Sequence, residues 1–165
     1  MSIRVAVVSD THVGQRISAY PKDFLLRLRE FDFVLHAGDH TSGESLDIIR
    51  NSCNLTAVRG NMDEVAVSSQ LPEKLIITIC NSTIGLCHGS GSPFDLPQRV
   101  SAFFEKEKPD IAVFGHSHIP FDSVIDGIRL INPGAFSGNK SSENGSWGIL
   151  TLNDDKIDWE LIKVG

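Results

Sequence analysis

Residues 33–40 read Phe33-Val34-Leu35-His36-Ala37-Gly38-Asp39-His40. An apolar run with β-branched and aromatic members, halted by a glycine that delivers a carboxylate, is the pattern of a buried strand entering a loop. The same design recurs along the chain. Ile3–Val8 runs into Asp10-Thr11-His12, and Leu55–Val58 runs into Gly60-Asn61-Met62-Asp63. Ile84–Cys87 ends at His88-Gly89, and Ile111–Phe114 ends at Gly115-His116-Ser117-His118.

Five apolar runs therefore end in side chains of metal-binding type: two Asp, one Asn and four His. A single such ending is ordinarily a cap or a turn former. Five in one small chain are hard to explain that way. In α/β sheets ligands gather beyond the carboxyl ends of the strands, so these residues are expected to converge despite their separation in sequence. Seven oxygen and nitrogen donors are too many for one tetrahedral ion. Two adjacent cations sharing a carboxylate are the economical reading, with Asp39 as the bridge.

The 165 residues are enough for one domain with a sizeable core and too few for two comfortable ones. A formal charge of −6 argues against a nucleic-acid track, which needs a basic face. It does not exclude an anionic substrate, because bound divalent cations invert the local field. Cys53, Cys80 and Cys87 are odd in number and form no CxxC pair, so they read as small core residues rather than a disulfide framework. The N-terminal apolar run is too short for a signal peptide or a membrane span. Together these features read as a cytoplasmic protein.

Pro21 suits the first turn of a helix, and Phe24, Leu25, Leu28 and Phe31 give that helix an apolar face. Leu46, Ile49 and Cys53 mark a second helix starting near Ser42 or Gly43. Alternation of strands and helices up to Arg59 predicts a parallel sheet with right-handed crossovers. Hairpins dominate later: Lys74–Cys80 with Thr83–Cys87 around Asn81-Ser82, Phe121–Ile125 with Ile128–Ile131 around Asp126-Gly127, and Gly145–Asn153 with Lys156–Val164. Between them Gly91–Pro97 reads as a loop, and Val100, Phe103 and Phe104 as the buried face of a helix stopped by Pro109. Residues 137–145 form the most loop-like stretch. Two packed sheets with helices outside follow from this order.

Carboxylate, amide and imidazole donors without thiolate suit Mn, Ni, Fe, Co or Zn. A pair of such ions about 3.5–4 Å apart is the common apparatus of phosphoryl hydrolysis, supplying an acidified water as nucleophile. Asp10-x-His12, Gly38-Asp39, Gly60-Asn61, His88-Gly89 and Gly115-His116-x-His118 together resemble the five signature blocks of the calcineurin-like metallophosphoesterases, in that family's order. The short length and the Gly60-Asn61-x-Asp63 form resemble its compact branch, related to YfcE.

That resemblance implies an α/β fold, a four-layer αββα sandwich of two mixed β-sheets flanked by helices, with residues 1–165 as a single domain. It implies that Asp10, His12 and His118 hold one divalent ion, that Asn61, His88 and His116 hold a second, and that Asp39 bridges them. Mn or Ni is favoured, with Fe, Co or Zn as alternatives. In a strand Asp10 and His12 share one side, as do His116 and His118. The implied activity is a phosphodiesterase that uses a hydroxide between the ions for in-line attack on a small phosphodiester, and related small enzymes often self-associate. The rival is a non-catalytic scaffold, since the retromer subunit of the same fold works by binding proteins.

Three positions depart from the family pattern. Met62 stands where relatives commonly place a leaving-group His, Ser90 where many carry a second His, and Ala135 where a Ser is usual. Without a proton donor at 62, general-acid help worth ~10²–10⁴-fold is lost, which predicts modest turnover. Among the remaining residues, His36 reads as a hydrogen-bonded core residue and Asn132 as a loop tie. His40 is read as orienting a ligand or contacting substrate, and Asp63 as holding a ligand imidazole or shaping a turn. Arg59 reads as a phosphate contact or a surface salt bridge. Trp147 and Trp159 read as sheet packing.

Overall fold

The computed structural model describes residues 2–139, 144–154 and 156–165. The first sheet is built from β1 (Ile3–Val8), β2 (Phe33–His36) and β3 (Leu55–Ala57), which run parallel. It is extended by β9 (Ser146–Leu152), antiparallel to β1, and β10 (Ile157–Lys163), in the order β10-β9-β1-β2-β3. The second sheet holds β4 (Lys74–Ile79), β5 (Ser82–Cys87), β6 (Ile111–Val113), β7 (Phe121–Ile125) and β8 (Ile128–Asn132), ordered β4-β5-β6-β8-β7. There β5, β6 and β8 are parallel, while β4 and β7 are antiparallel edge strands.

Alternation along each strand builds the layers. Val5, Val7 and Leu35 from the first sheet meet Ile84, Leu86, Ile111, Val113 and Ile131 from the second, forming a dry core between sheets. Truncating Leu35, which is fully buried there, would cost about 2–5 kcal/mol. The opposite registers, Ala6, Val8 and Val34, face α1 (Lys22–Leu28) and α2 (Gly43–Arg50), with Phe24, Leu28 and Ile49 closing that layer. On the far side, α4 (Leu96–Phe103) covers the second sheet with Leu96, Val100 and the following Phe104. The result is the αββα sandwich, helices outermost. Trp147 fills the layer under α1 and Trp159 packs against the inter-sheet core, as sheet-packing residues should.

Several boundaries differ from the sequence expectation. The first hairpin turns at Cys80-Asn81, with Ser82 already paired to Ile79, because Cys80 takes the left-handed φ of 53°. The helix expected before Pro109 begins earlier, at Leu96 with Pro97 in its first turn, and ends at Phe103, well short of the proline. Its apolar stripe is Leu96, Val100 and Phe104, so Phe103 is left 40% exposed. A one-turn helix, α3 (Val65–Ser68), has no apolar period and buries only Val67. The loop expected over 137–145 falls partly on residues 140–143, and the final turn on Asp155, outside the described residues.

Candidate metal centre

The parallel strands of both sheets point their carboxyl ends the same way, and the loops leaving them share one edge. Asp10 and His12 follow β1, Asp39 follows β2, Asn61 follows β3, His88 follows β5, and His116 and His118 follow β6. Backbone bonds lash these loops together: Asp10 N donates to Gly38 O at 3.0 Å, His12 N to Asp39 O at 3.1 Å, and Gly115 N to His88 O at 3.1 Å. Two glycines permit the approach. A Cβ on Gly60 would collide with the Asp39 carboxylate, and one on Gly38, already at φ +98°, would come within 2.8 Å of His88 Nδ1.

The side chains are aimed by backbone twist rather than by pleat. Asp10, His12, Asp39, His116 and His118 all have positive φ, between 43° and 68°. Asp and His are among the few residues that enter this region readily, and such strain gathers at functional sites. Asp10 and His12 therefore do not share one side of a strand as the sequence pattern predicts, nor do His116 and His118. β1 stops at Val8 and β6 at Val113, before either pair.

Two donor groups result. In the first, Asp10 Oδ1 lies 3.0 Å from His118 Nε2 and 3.7 Å from His12 Nε2. In the second, Asn61 Oδ1 lies 3.0 Å from both His88 Nε2 and His116 Nδ1. Asp39 stands between them, its Oδ2 3.5 Å from His12 Nε2 and 3.2 Å from His88 Nε2.

Four of the seven donors are held from behind, whereas the buried Nδ1 of His12 has no hydrogen-bond partner among the described residues. Ser9 Oγ donates to Asp10 Oδ2 at 2.6 Å, and the His116 amide to the same oxygen at 3.1 Å. The Met62 amide donates to Asp39 Oδ1 at 2.8 Å, leaving Oδ2 for the centre. His88 Nδ1 donates to the Ala37 carbonyl at 2.6 Å, and His116 Nε2 to the Gly91 carbonyl at 2.7 Å. A carbonyl only accepts, so these bonds fix which ring nitrogen carries the proton and which faces inward. Ser9 and the two carbonyls were not legible as site groups, because a backbone carbonyl leaves no trace in residue type.

The electrostatics fit cations. Asp10 and Asp39 are almost wholly buried, and among the described residues neither is paired with Lys or Arg. Their partners are imidazoles, and carboxylate with imidazole is a donor set that suits divalent ions. Burial alone would raise the Asp10 carboxyl, but bonds from His118 and His12 and the charge of His88 hold it well below the usual carboxylate range. Burial opposes charge on His88 too, yet the Asp39 bond, the charges of Asp10 and Asp39 and the Ala37 carbonyl push it up to about 9. Donor atoms of Asp10, His12, Asp39 and His118 all lie within 4.8 Å of one another. Donors sharing a tetrahedral ion at ~2.1 Å stand about 3.4 Å apart, so the spacing suits an ion.

A family model described as the calcineurin-like phosphoesterase superfamily domain matches residues 3–155. The chain belongs to that superfamily. A probable metallophosphoesterase of Methanocaldococcus jannaschii is 33% identical over 162 residues, 97% of this chain and 81% of the relative. A Thermotoga maritima protein solved by solution NMR is 34% identical with a TM-score of 0.79, covering 98% of this chain and 99% of that one. Wild-type Vps29 from Entamoeba histolytica, crystallised with zinc, is 28% identical with a TM-score of 0.77 and 98% coverage of both chains.

Around this candidate centre His36, Arg59 and Asn132 follow one of their sequence readings, and His40 does not. His36 is a buried core residue: its Nδ1 accepts from Gly38 N at 3.2 Å and its Nε2 meets Thr11 Oγ1 at 3.1 Å. Burial, then the neighbouring His40, keeps it neutral. His40 is fully buried, its Nε2 bonded to Val58 O at 3.1 Å and its ring stacked on His36 at 3.8 Å, so it has no access to substrate. Among the described residues the hydrogen bonds of Asp63 go to backbone amides and not to an imidazole. It accepts the amides of Thr41 and Gly60, both at 2.7 Å, and so fastens the loop after Asp39 to the loop before Asn61. Arg59 bonds the Leu71 carbonyl at 3.3 Å and lies 3.9 Å from Glu73, the salt-bridge reading. Asn132 ties the loop by donating to Gly115 O at 2.8 Å.

Two hollows adjoin the centre. One, of about 230 Å³, is lined by His12, Gln15, Arg16, Met62, His116 and His118 among others. Gln15 and Arg16, in a loop with no motif, bring polar and cationic groups to the mouth. Asn61 also lines the second hollow, of about 270 Å³, together with His88 and the start of α4.

Proposed function

We propose that this member of the superfamily is a phosphodiesterase that holds two divalent ions, one by Asp10, His12 and His118 and one by Asn61, His88 and His116, with Asp39 shared. The observation that carries the reading is the position of Asp39 Oδ2 between two complete donor groups, 3.5 Å from His12 and 3.2 Å from His88. When bound, such ions supply a water acidified to a nucleophile and neutralise charge growing on the phosphorus oxygens.

The chain's own residues do the rest. Ser9, Met62 N, Ala37 O and Gly91 O hold Asp10, Asp39, His88 and His116 in one orientation, so little reorganisation of these four is left for the reaction itself. Arg16 and Gln15 present donors at the mouth, where a phosphate oxygen would arrive. Met62 carries no proton, so an ester whose leaving group departs unprotonated reacts best. Arg16 can answer one phosphate charge at the mouth, and Met62 supplies no cation for a second, which favours the singly charged diester over the monoester.

We take Mn²⁺ or Ni²⁺ as the working ions, a small phosphodiester as substrate, the cytoplasm as location and self-association as the assembly. Among the described residues no helix is long and apolar enough to cross a membrane. A non-catalytic scaffold is the second reading, favoured by the likeness to Vps29. The full complement of seven donors weighs for the enzyme. The test is hydrolysis of bis(p-nitrophenyl) phosphate by metal-stripped protein: inactive alone, restored by Mn²⁺ or Ni²⁺. No turnover with any divalent ion would move the assignment to the scaffold.

A further inference from the structure

The hollow beside Asn61 and His88 shares a wall with the metal centre and is otherwise unlike it. Its floor is apolar: Cys87, Leu96 and Val100 are buried at 1%, 1% and 2% exposure, and the ring of Phe103 closes one side. Burial pushes the Cys87 thiol up to about 12, so that surface is uncharged. The opposite wall is built in advance. Arg99, on α4, donates to the Phe94 carbonyl at 2.8 Å and the Ser90 carbonyl at 2.9 Å, and also to the Ser92 carbonyl, pinning the loop between β5 and α4. Arg59 sets a cation at the rim, 3.9 Å from Glu73.

Asn61 lines this hollow and the polar one beside His12, so a phosphoryl group at the junction has one substituent in each direction. Resting on the phosphoesterase reading above, we propose that the apolar hollow receives the organic group of the ester, and that this group is a planar aromatic ring. Its volume of about 270 Å³ sits just under the ~300–1,000 Å³ of pockets for drug-sized ligands. That is room for a ring and not for a long acyl chain. A floor of Cys87, Leu96 and Val100 beside Phe103, with a guanidinium at the rim, suits a flat π-face, which gains apolar contact below and a cation at its edge.

The experiment uses ¹⁵N-labelled protein loaded with diamagnetic Zn²⁺ and three probes whose P–C bond resists hydrolysis: methyl-, hexyl- and phenylphosphonate. Methylphosphonate should move amides near His116 and His118 only. Phenylphosphonate should in addition move Gly89, Ser90, Val100 and Phe103, and bind about 10-fold more tightly than the methyl compound, a gain of ~1.4 kcal/mol. Ser90→Phe, an exposed rim position, should fill the mouth and abolish the phenyl-specific gain while the methyl response persists. Phenyl shifts that spare α4, an unchanged gain in Ser90→Phe, or hexylphosphonate binding as tightly as phenyl would each overturn the proposal. Loss of the methyl response itself would instead strike the phosphoesterase reading, so the two failures are distinguishable.

Discussion

His12 and His118 face each other through their Nε2 atoms at 3.3 Å, beside two buried carboxylates. Two lone pairs at that distance repel unless a proton or a cation lies between their directions. Metal removal should therefore destabilise the fold and not merely silence it. At an ion concentration 100 times the dissociation constant, binding contributes ~2.7 kcal/mol, or roughly 5–10 °C in Tm for a chain of this size. Calorimetry of stripped and Mn²⁺-loaded protein measures the shift. His12→Ala should abolish most of it, and an undiminished shift would place the ion elsewhere.

Asp39→Asn is the sharpest single change at the centre. The amide keeps an oxygen for the Met62 N–H, now bonded at 2.8 Å, so the loop retains its anchor. What is lost is the shared negative charge between the two donor groups. Partners outside the ligand sphere cost 10–100-fold when removed, so a shared ligand should cost more than ~100-fold in turnover. Hydrolysis of bis(p-nitrophenyl) phosphate beside a melting curve checks both halves. Near-normal turnover would refute the sharing.

His88 sets a pH dependence whose sign is fixed by its partners. In metal-free protein its pKa is pushed up to about 9, against an ordinary 6.5. The raised value means that its contribution to stability is full below about 6.5 and is lost as pH climbs toward 9. A cation must displace that proton, so apparent metal affinity should rise across the same interval. Calorimetric titration in buffers of different ionisation enthalpy should detect proton release that shrinks as pH approaches 9. PH-independent binding without proton release would contradict the arrangement.

The donors were legible because a strand ending in Gly-Asp or Gly-His is a local pattern, and Gly38 and Gly60 stand where no Cβ fits. The topology that joins two sheets at one edge was legible only in outline, from alternating helices early and hairpins late. The role of His40 was not, and that of Asp63 was legible only as a turn former, without its bond to Thr41. Whether His40 points at the cleft or stacks on His36 depends on the left-handed turn through Asp39 and Thr41, at φ 61° and 90°, which side-chain type does not encode. The hollow under Leu96 escaped because Gly91–Pro97 reads as loop, whereas Pro97 sits in the first turn of α4.

Asp63 should matter to stability and to metal binding together. Its two 2.7 Å bonds join Thr41 to Gly60, and Asn61 is the next residue. Asp63→Ala leaves two amides to find water and frees both loops. The expected cost is about 2–3 kcal/mol, a Tm drop of roughly 5–10 °C, with metal affinity down ~10–100-fold. Calorimetry and metal titration read these separately. Lost stability with unchanged affinity would reduce Asp63 to a turn former.

Met62 tests the leaving-group argument directly. The residue is 47% exposed and lines the hollow that holds His12 and His118, while its amide grips Asp39. The side chain can therefore be exchanged without disturbing the carboxylate, because the anchoring group belongs to the backbone. Met62→His would place a titratable proton beside the cleft, where general-acid help is worth ~10²–10⁴-fold for a leaving group that needs it. The gain should fall on esters of poor leaving groups and on the monoester, with little change for activated aryl diesters. The measurement is the ratio of p-nitrophenyl phosphate to bis(p-nitrophenyl) phosphate hydrolysis, repeated with an alkyl diester across pH 5–8. An unchanged ratio with intact metal binding would mean that proton delivery at position 62 does not limit this enzyme.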